Sequence, residues 1–213
     1  MRRRLIGAAR DRPKEDYSMP QVFVSGTWRA TKAEAYRDQA LELGRKIAGR
    51  GFDLACGPGT GIARHVIDGY IQVENRAKVR YYLPRQELMD AVGETTEPGA
   101  DSIEITPFDY AMRNVYQISL SDGLFILTGG DGALEEALPA LIDYELPVGV
   151  VAASGPAALA LELLTGPFPE WRDRLIFGAQ VLDIIDDFLD RIEAECEKRL
   201  QSDRPRAYHP NYS

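Results

Sequence analysis

Apolar positions along this chain fall into two alternating patterns, short unbroken runs and stripes spaced three and four apart. Gln21-Val22-Phe23-Val24 is a β-branched and aromatic run that stops at Ser25-Gly26, as expected of a strand buried on both faces. Lys32 to Arg50 then sets Tyr36, Ala40, Leu43 and Ile47 in one stripe, with Glu34, Arg37, Asp38, Arg45 and Lys46 around the rest and Gly51 as the stop, which predicts an amphipathic helix. Phe52 to Ala55 predicts a second strand, Gly57-Pro58-Gly59-Thr60-Gly61 a turn, and Ile62 to Tyr70 a second helix.

The alternation continues. Ser102 to Ile105 reads as a strand, Tyr110 to Leu120 as a helix and Gly123 to Leu127 as an apolar strand. Gly132 to Tyr144 follows as a helix with Leu134, Ala137, Leu138, Leu141 and Ile142 on one side, and Pro139 within it predicts a kink. Val148 to Val151 is a buried strand, Pro156 to Leu164 a small helix, and Leu182 to Leu200 a long one striped by Leu182, Ile185, Leu189, Ile192 and Cys196. Residues 71–100 carry the weakest pattern, with Val79 to Leu83 as a strand and Gly93 to Gly99 as a loop. Repeated strand-helix alternation predicts an α/β fold: a Rossmann-like, doubly wound, mostly parallel sheet with helices on both faces. One domain is expected over residues 21–201, between an N-terminal tail (1–20) and a C-terminal tail (202–213).

Composition narrows the function classes. The 213 residues are 45% hydrophobic and 27% charged, enough for one sizeable core without disulfides or metal. Cys56 and Cys196, far apart in sequence, form neither a disulfide framework nor a CxxC motif, which fits a reducing, cytoplasmic setting. The longest uncharged run, Pro147 to Leu161, is short for a membrane helix, and the start has no extended apolar region. A net charge of −8 argues against nucleic acid as a partner, because such binding rests on neutralising phosphates. Arg2, Arg3 and Arg4 make only a small basic arm, read as a solvated terminus. No metal or other cofactor is expected. His65 and His209 lack ligands at metal spacing, and the acidic face of the last helix, from Asp183 to Glu197, has no histidine beside it.

The chemistry concentrates in two glycine-rich turns. Gly57, Gly59 and Gly61 follow the second strand, while Gly129-Gly130-Asp131-Gly132 follows Gly123 to Leu127 and opens a helix carrying Glu135-Glu136. In an open parallel sheet, ligands sit beyond the carboxyl ends of the strands, where backbone amides and the positive end of a helix hold anions. Each turn is therefore a plausible phosphate cradle. The first is neither GxGxxG nor a P-loop, and its other reading is a plain tight connection.

Thr128-Gly129-Gly130-Asp131-Gly132-Ala133-Leu134-Glu135-Glu136 resembles the PGGxGTxxE signature of the Lonely Guy (LOG) phosphoribohydrolases, long mislabelled as lysine decarboxylases. Arg113, in Asp109-Tyr110-Ala111-Met112-Arg113-Asn114, stands at that family's spacing before the signature, and Asp122 fills its acidic position before the strand. The resemblance covers roughly residues 21–151. It departs at Thr128 (family Pro), Ala133 (family Thr) and Asn114 (family Lys).

The resemblance implies hydrolysis of the N-glycosidic bond of a nucleoside 5'-monophosphate to free base and ribose 5-phosphate. Arg113 and Glu136 would be the catalytic pair, with Glu136 at the ribose and Arg113 pairing with it and orienting phosphate or base. Ser25, Gly26, Gly57, Gly59, Thr60, Gly61, Thr128, Gly129, Gly130, Gly132 and Ala133 would line the phosphate and nucleotide site, and the protein would be a homodimer or higher oligomer. On the residues alone, Glu136 is either that carboxylate or a helix-terminus charge, Arg113 either its partner or a surface arginine, Asp109 a helix cap or a ligand contact, and Asp131 a turn residue or a functional one. Asn114 is a further candidate contact. Cys56 reads as a small buried residue rather than a reactive thiol. Two other readings stay open: a non-catalytic nucleotide or cofactor carrier or sensor of the same superfamily, and a deoxyribosyltransferase or NAD-glycohydrolase-like enzyme.

Overall fold

The computed structural model describes residues 19–202. Arg2, Arg3, Arg4, His209 and nearly all of both expected tails lie outside the described residues.

Seven strands form one sheet: β1 (Gln21–Gly26), β2 (Asp53–Cys56), β3 (Val79–Leu83), β4 (Ser102–Ile105), β5 (Gly123–Leu127), β6 (Val148–Val151) and β7 (Leu175–Gly178). Their order is β4-β3-β2-β1-β5-β6-β7, and every pairing is parallel. The helices are α1 (Ala30–Ala33), α2 (Arg37–Gly49), α3 (Ile62–Tyr70), α4 (Gln86–Val92), α5 (Tyr110–Ser119), α6 (Asp131–Ile142), α7 (Pro156–Leu164) and α8 (Val181–Ser202), with 3-10 turns at Glu34–Tyr36 and Pro169–Asp173.

Because strand side chains alternate between faces, two cores result. Val22, Val24, Leu54, Tyr81, Phe125 and Leu127 pack with Leu43 and Ile47 of α2, Val66 and Ile67 of α3, and Phe188 and Ile192 of α8. Phe23, Ala55, Leu124, Ile126, Val148 and Val150 pack with Ile118 of α5, Ala137 and Leu141 of α6, and Leu161 of α7. The doubly wound parallel sheet expected from the alternation is the fold.

The chain builds β1 to β4 outward on one side and then crosses to β5 on the other side of β1. The topological switch point therefore lies between β1 and β5, whose ends are in register at Ser25 with Ile126 and Gly26 with Leu127. Loops leaving neighbouring strands there diverge to opposite faces and open a crevice.

Several details differ from the sequence expectation. Strand β1 runs on through Ser25 and Gly26, and the expected helix from Lys32 to Arg50 is broken by the turn at Glu34–Tyr36. Helix α4, the turn at Pro169–Asp173 and strand β7 had no prediction. On α8 the buried stripe runs through Val181, Ile184, Ile185, Phe188, Leu189 and Ile192, while Leu182 is exposed; the helix starts one residue earlier than expected, and Val181 takes the inward position. Ile142 on α6 is likewise exposed, while Ala133 and Ala140 turn inward. Alanines let α6 lie close to the sheet, so its buried face is narrower in side-chain volume than the leucine stripe suggested. The helix continues through Pro139 to Ile142.

Candidate functional site

The second glycine turn connects β5 to α6. Thr128 has φ 63° and Gly129 φ 115°. The left-handed region suits glycine but strains a β-branched residue by about 1–3 kcal/mol, so the surroundings must hold Thr128 there. They do: the Thr128 N–H donates to Ser154 Oγ at 2.9 Å, and the Ser154 carbonyl accepts from the Tyr36 hydroxyl at 2.9 Å. Ala153, beside Ser154, is also left-handed, with φ 54°. A Cβ at Gly129 would stand 2.7 Å from that of Ala133, so glycine there also lets α6 start tightly. Gly130 and Gly132 face open space, which leaves the amino end of this 12-residue helix accessible.

The first turn is more enclosed. A Cβ at Gly61 (φ 60°) would overlap the Thr27 carbonyl oxygen, and one at Gly59 would overlap the Tyr81 hydroxyl. The loop after α4 closes on the same turn, the Glu97 N–H donating to the Pro58 carbonyl at 2.8 Å. Gly57 faces Arg113: a Cβ there would stand 3.1 Å from Arg113 Nη1. Gly26 is packed against the Leu127 carbonyl and Ile62. Thr60 is partly buried within the turn. Of the two turns, the second presents the more open backbone.

Glu136 of α6 reaches Ser25 at the end of β1, and Arg113 of α5 stands beside Gly57 after neighbouring β2, near enough for each charge to act on the other. Glu136, partly buried, accepts a hydrogen bond from the hydroxyl of Ser25, which is itself buried at the end of β1. Burial pushes the Glu136 carboxyl up to about 7; the Ser25 hydrogen bond and the Arg113 charge oppose that rise, and Glu135 adds to it. A carboxyl poised there can change protonation near neutral pH. Ser25, expected among the phosphate contacts, is thus engaged with the carboxylate.

Arg113 is only 7% exposed. Burial lowers its pKa, and the carboxylates of Glu136 and then Glu94 oppose the shift. Its Nη1 donates to Gln117 Oε1 at 3.1 Å, while its Nε, Gln117 Nε2, Asn114 Oδ1 and the Tyr81 hydroxyl are buried without a partner among the described residues. Buried polar atoms are seldom left so, and three of these four belong to one stretch of α5. Arg113 is therefore no surface arginine.

The remaining candidates separate. Asp109 caps α5, its carboxylate accepting from the Met112 N–H at 2.9 Å. Asp131 is the exposed first residue of α6. Cys56 is buried, and burial raises its thiol pKa, so it behaves as a packing residue. Asp122 lies at the opposite end of the sheet, accepting from the Gln21 N–H at 2.8 Å and from Arg199 at 2.7 Å, where it ties β1 and α8 to β5. Glu94, Tyr110, Ser154 and Tyr36 were missed in sequence; none sits in a glycine motif, and only the turn chemistry around them could have drawn notice.

Among the described residues, no group of three or more His, Cys, Asp or Glu is arranged to hold a metal ion, and no helix is long and apolar enough to cross a membrane.

Residues 19–165 match the model of the SLOG cluster4 family, well over half of the chain, and the chain belongs to that family. No curated protein sequence matches. Among solved structures, the molybdenum cofactor carrier protein of Chlamydomonas reinhardtii is similar, with 22% identity and a TM-score of 0.66 over 83% of this chain and 99% of that one. The molybdenum cofactor binding protein of the phototrophic bacterium Rippkaea orientalis is 20% identical, with a TM-score of 0.64 over 83% and 99%. DNA processing protein A of Helicobacter pylori, described for its single-stranded DNA binding, is 17% identical, with a TM-score of 0.54 over 81% of each chain. These similarities establish a shared fold.

Proposed function

We propose that this SLOG cluster4 protein binds a nucleoside 5'-monophosphate across the switch point and hydrolyses its N-glycosidic bond, releasing free base and ribose 5-phosphate. The observation that carries this reading is the approach of Arg113 and Glu136, from two different helices, beyond the ends of β1 and β2, with Ser25 holding the carboxylate. The phosphate lies on the amides of the second turn at the start of α6, with Thr128, Gly129, Gly130 and Gly132 around it.

The chemistry follows from that placement. As the C1'–N bond breaks, its electron pair leaves with the base and positive charge builds on the ribose. Ionised Glu136 offsets that charge and orients a water, whose oxygen bonds to C1'. One water proton passes to the Glu136 carboxylate and from there, through water, to the nitrogen of the departing base, which returns Glu136 to its ionised form. Arg113 keeps Glu136 oriented and holds the leaving end of the ligand. Active sites near a twofold contact between two copies of the chain complete the proposal.

A second reading, a non-catalytic carrier or sensor of a nucleotide-like ligand, is favoured by the departures at Thr128, Ala133 and Asn114, which remove the signature's Pro, hydroxyl and lysine. Incubating the protein with a panel of nucleoside 5'-monophosphates and separating the products by chromatography distinguishes the two. Free base together with ribose 5-phosphate supports the hydrolase; tight binding with no released base supports the carrier.

A further inference from the structure

Beside Arg113 stand two residues from separate elements, one of them on the loop after α4 that closes on the first turn. Helix α4 ends at Gly93, whose φ of 67° turns the chain. The Gly93 N–H bonds to the Asp90 carbonyl at 3.3 Å and the Glu94 N–H to the Met89 carbonyl at 2.9 Å, the pairing of a glycine-terminated helix. Glu94 is thereby pinned at its backbone. Tyr110 is the first residue of α5, placed by the Asp109 cap. The Tyr110 hydroxyl donates to Glu94 Oε2 at 2.8 Å, and the Arg113 guanidinium carbon lies 6.0 Å from the centre of the Tyr110 ring. Glu94 is the second carboxylate, after Glu136, whose charge reaches Arg113. Arg113 itself is buried, with its Nε unpartnered among the described residues, a donor available to a ligand.

We propose that Tyr110 and Glu94 form the ring-end subsite of this cleft, and that Glu94 selects ligands whose ring carries an N–H donor, such as the exocyclic amine of adenine. The proposal rests on the reading of the Arg113 and Glu136 cleft as a nucleotide site. Direction along the cleft follows from charge. A phosphate belongs at the helix amino end by the second turn, and a second carboxylate would repel it, so the Glu94 end takes the uncharged ring. An ionised carboxylate only accepts hydrogen bonds, so it rewards a ring amine and leaves a ring without one unpaired. Tyr110 adds an aromatic face against which the ring lies.

Calorimetry tests this with three ligands: ribose 5-phosphate, adenosine 5'-monophosphate, and purine riboside 5'-monophosphate, which lacks only the amine. The native protein is expected to prefer the amine-bearing nucleotide by about tenfold, the scale of one hydrogen bond to a charged group. Glu94→Ala should abolish that preference and leave ribose 5-phosphate affinity unchanged. Tyr110→Ala should weaken both nucleotides, again sparing ribose 5-phosphate. Tyr110→Phe should preserve the preference, since it keeps the ring and frees the carboxylate. Ribose 5-phosphate binding with a preference unaltered in Glu94→Ala overturns this proposal alone. No binding of ribose 5-phosphate overturns the cleft reading and this proposal with it.

Discussion

Ser25 at the end of β1 donates a hydrogen bond to Glu136 on α6, 111 residues later in the chain. The bond bridges the switch point and ties the end of β1 to the helix that follows β5, so the carboxyl is positioned by the fold as well as by its own helix. Its elevated pKa, about 7 against an ordinary 4.5, has consequences for both stability and rate.

The folded protein holds the Glu136 proton more tightly than the unfolded chain does. This group therefore stabilises the fold at low pH, and that contribution is lost as pH rises from about 4.5 through about 7. The shift corresponds to on the order of 3 kcal/mol. Urea unfolding at pH 5 and pH 8 should show Glu136→Gln gaining on the native protein as pH rises. Equal pH dependence in the two proteins would remove the elevated pKa. Ser25→Ala, which deletes the hydrogen bond to the carboxylate, should raise the titration midpoint further.

If ionised Glu136 serves the reaction, kcat/KM should rise with pH through about 7. Glu136→Gln should lose about 2.7 kcal/mol or more of transition-state stabilisation while still binding ribose 5-phosphate. A variant of undiminished activity would take Glu136 out of the mechanism. Arg113→Lys keeps the charge but not the planar fork that reaches Gln117, so turnover should fall about tenfold or more. A loss of thermal stability with unchanged kcat would make Arg113 purely structural.

Much of this was legible in sequence, for identifiable reasons. The runs at Gln21–Gly26 and Gly123–Leu127 are unbroken and apolar because their strands are covered on both faces, and Gly61 marks the start of α3 because its backbone must be left-handed there. Arg113 and Glu136 were reachable through the spacing of a known signature. Strand β4 was found even though all four of its residues are exposed at the sheet edge, whereas β7 was missed because Leu175–Gly178 is short and follows a proline-led turn. The Glu94–Tyr110 pair could not be read, since it depends on two helix ends meeting in space. The support of Thr128 by Ser154, 26 residues away on another loop, is equally silent in a linear pattern.

The open second turn should make a 5'-monophosphate bind more tightly than its nucleoside, with affinity falling as salt rises. Trp28 offers a readout: it is 70% exposed, and its backbone packs against Gly61 where α3 begins, while the other tryptophan, Trp171, is buried in the core. In a Trp171→Phe protein, adenosine 5'-monophosphate should change the emission of Trp28 at lower concentration than adenosine does. Identical titrations for the two would show that the turns do not hold phosphate.

Assembly is expected to place two such clefts near a twofold contact. Of the apolar residues on the helices flanking the second turn, Ile118 and Leu141 are buried and Ile142 is exposed, and Leu159 and Leu163 on neighbouring α7 are exposed as well. A second copy would cover this group, and a self-complementary pairing is the commonest way to do so. Light scattering should give a mass of at least twice 23.7 kDa, and Leu163→Glu should lower it. A monomer in the native protein would end the idea.

Placing the proline of the LOG signature at position 128 should harm this protein. Proline requires φ near −65°, while Thr128 sits at 63°, so the ring cannot enter the conformation that the turn uses here. Proline also lacks the N–H that Thr128 donates to Ser154, and the buried hydroxyl acceptor would lose its partner. Together these predict a loss of about 3 kcal/mol or more for Thr128→Pro, read as a fall in Tm. Ser154→Ala, which strands the Thr128 N–H but keeps the backbone free, should cost about 1–3 kcal/mol. If Thr128→Pro proved neutral, the turn would have to adopt the signature's conformation rather than the left-handed one, and the tie to Ser154 would be dispensable. A large loss with both substitutions would mean that this chain builds its second glycine turn by a different route, held from the β6 loop and from Tyr36 rather than by a rigid ring within the turn itself.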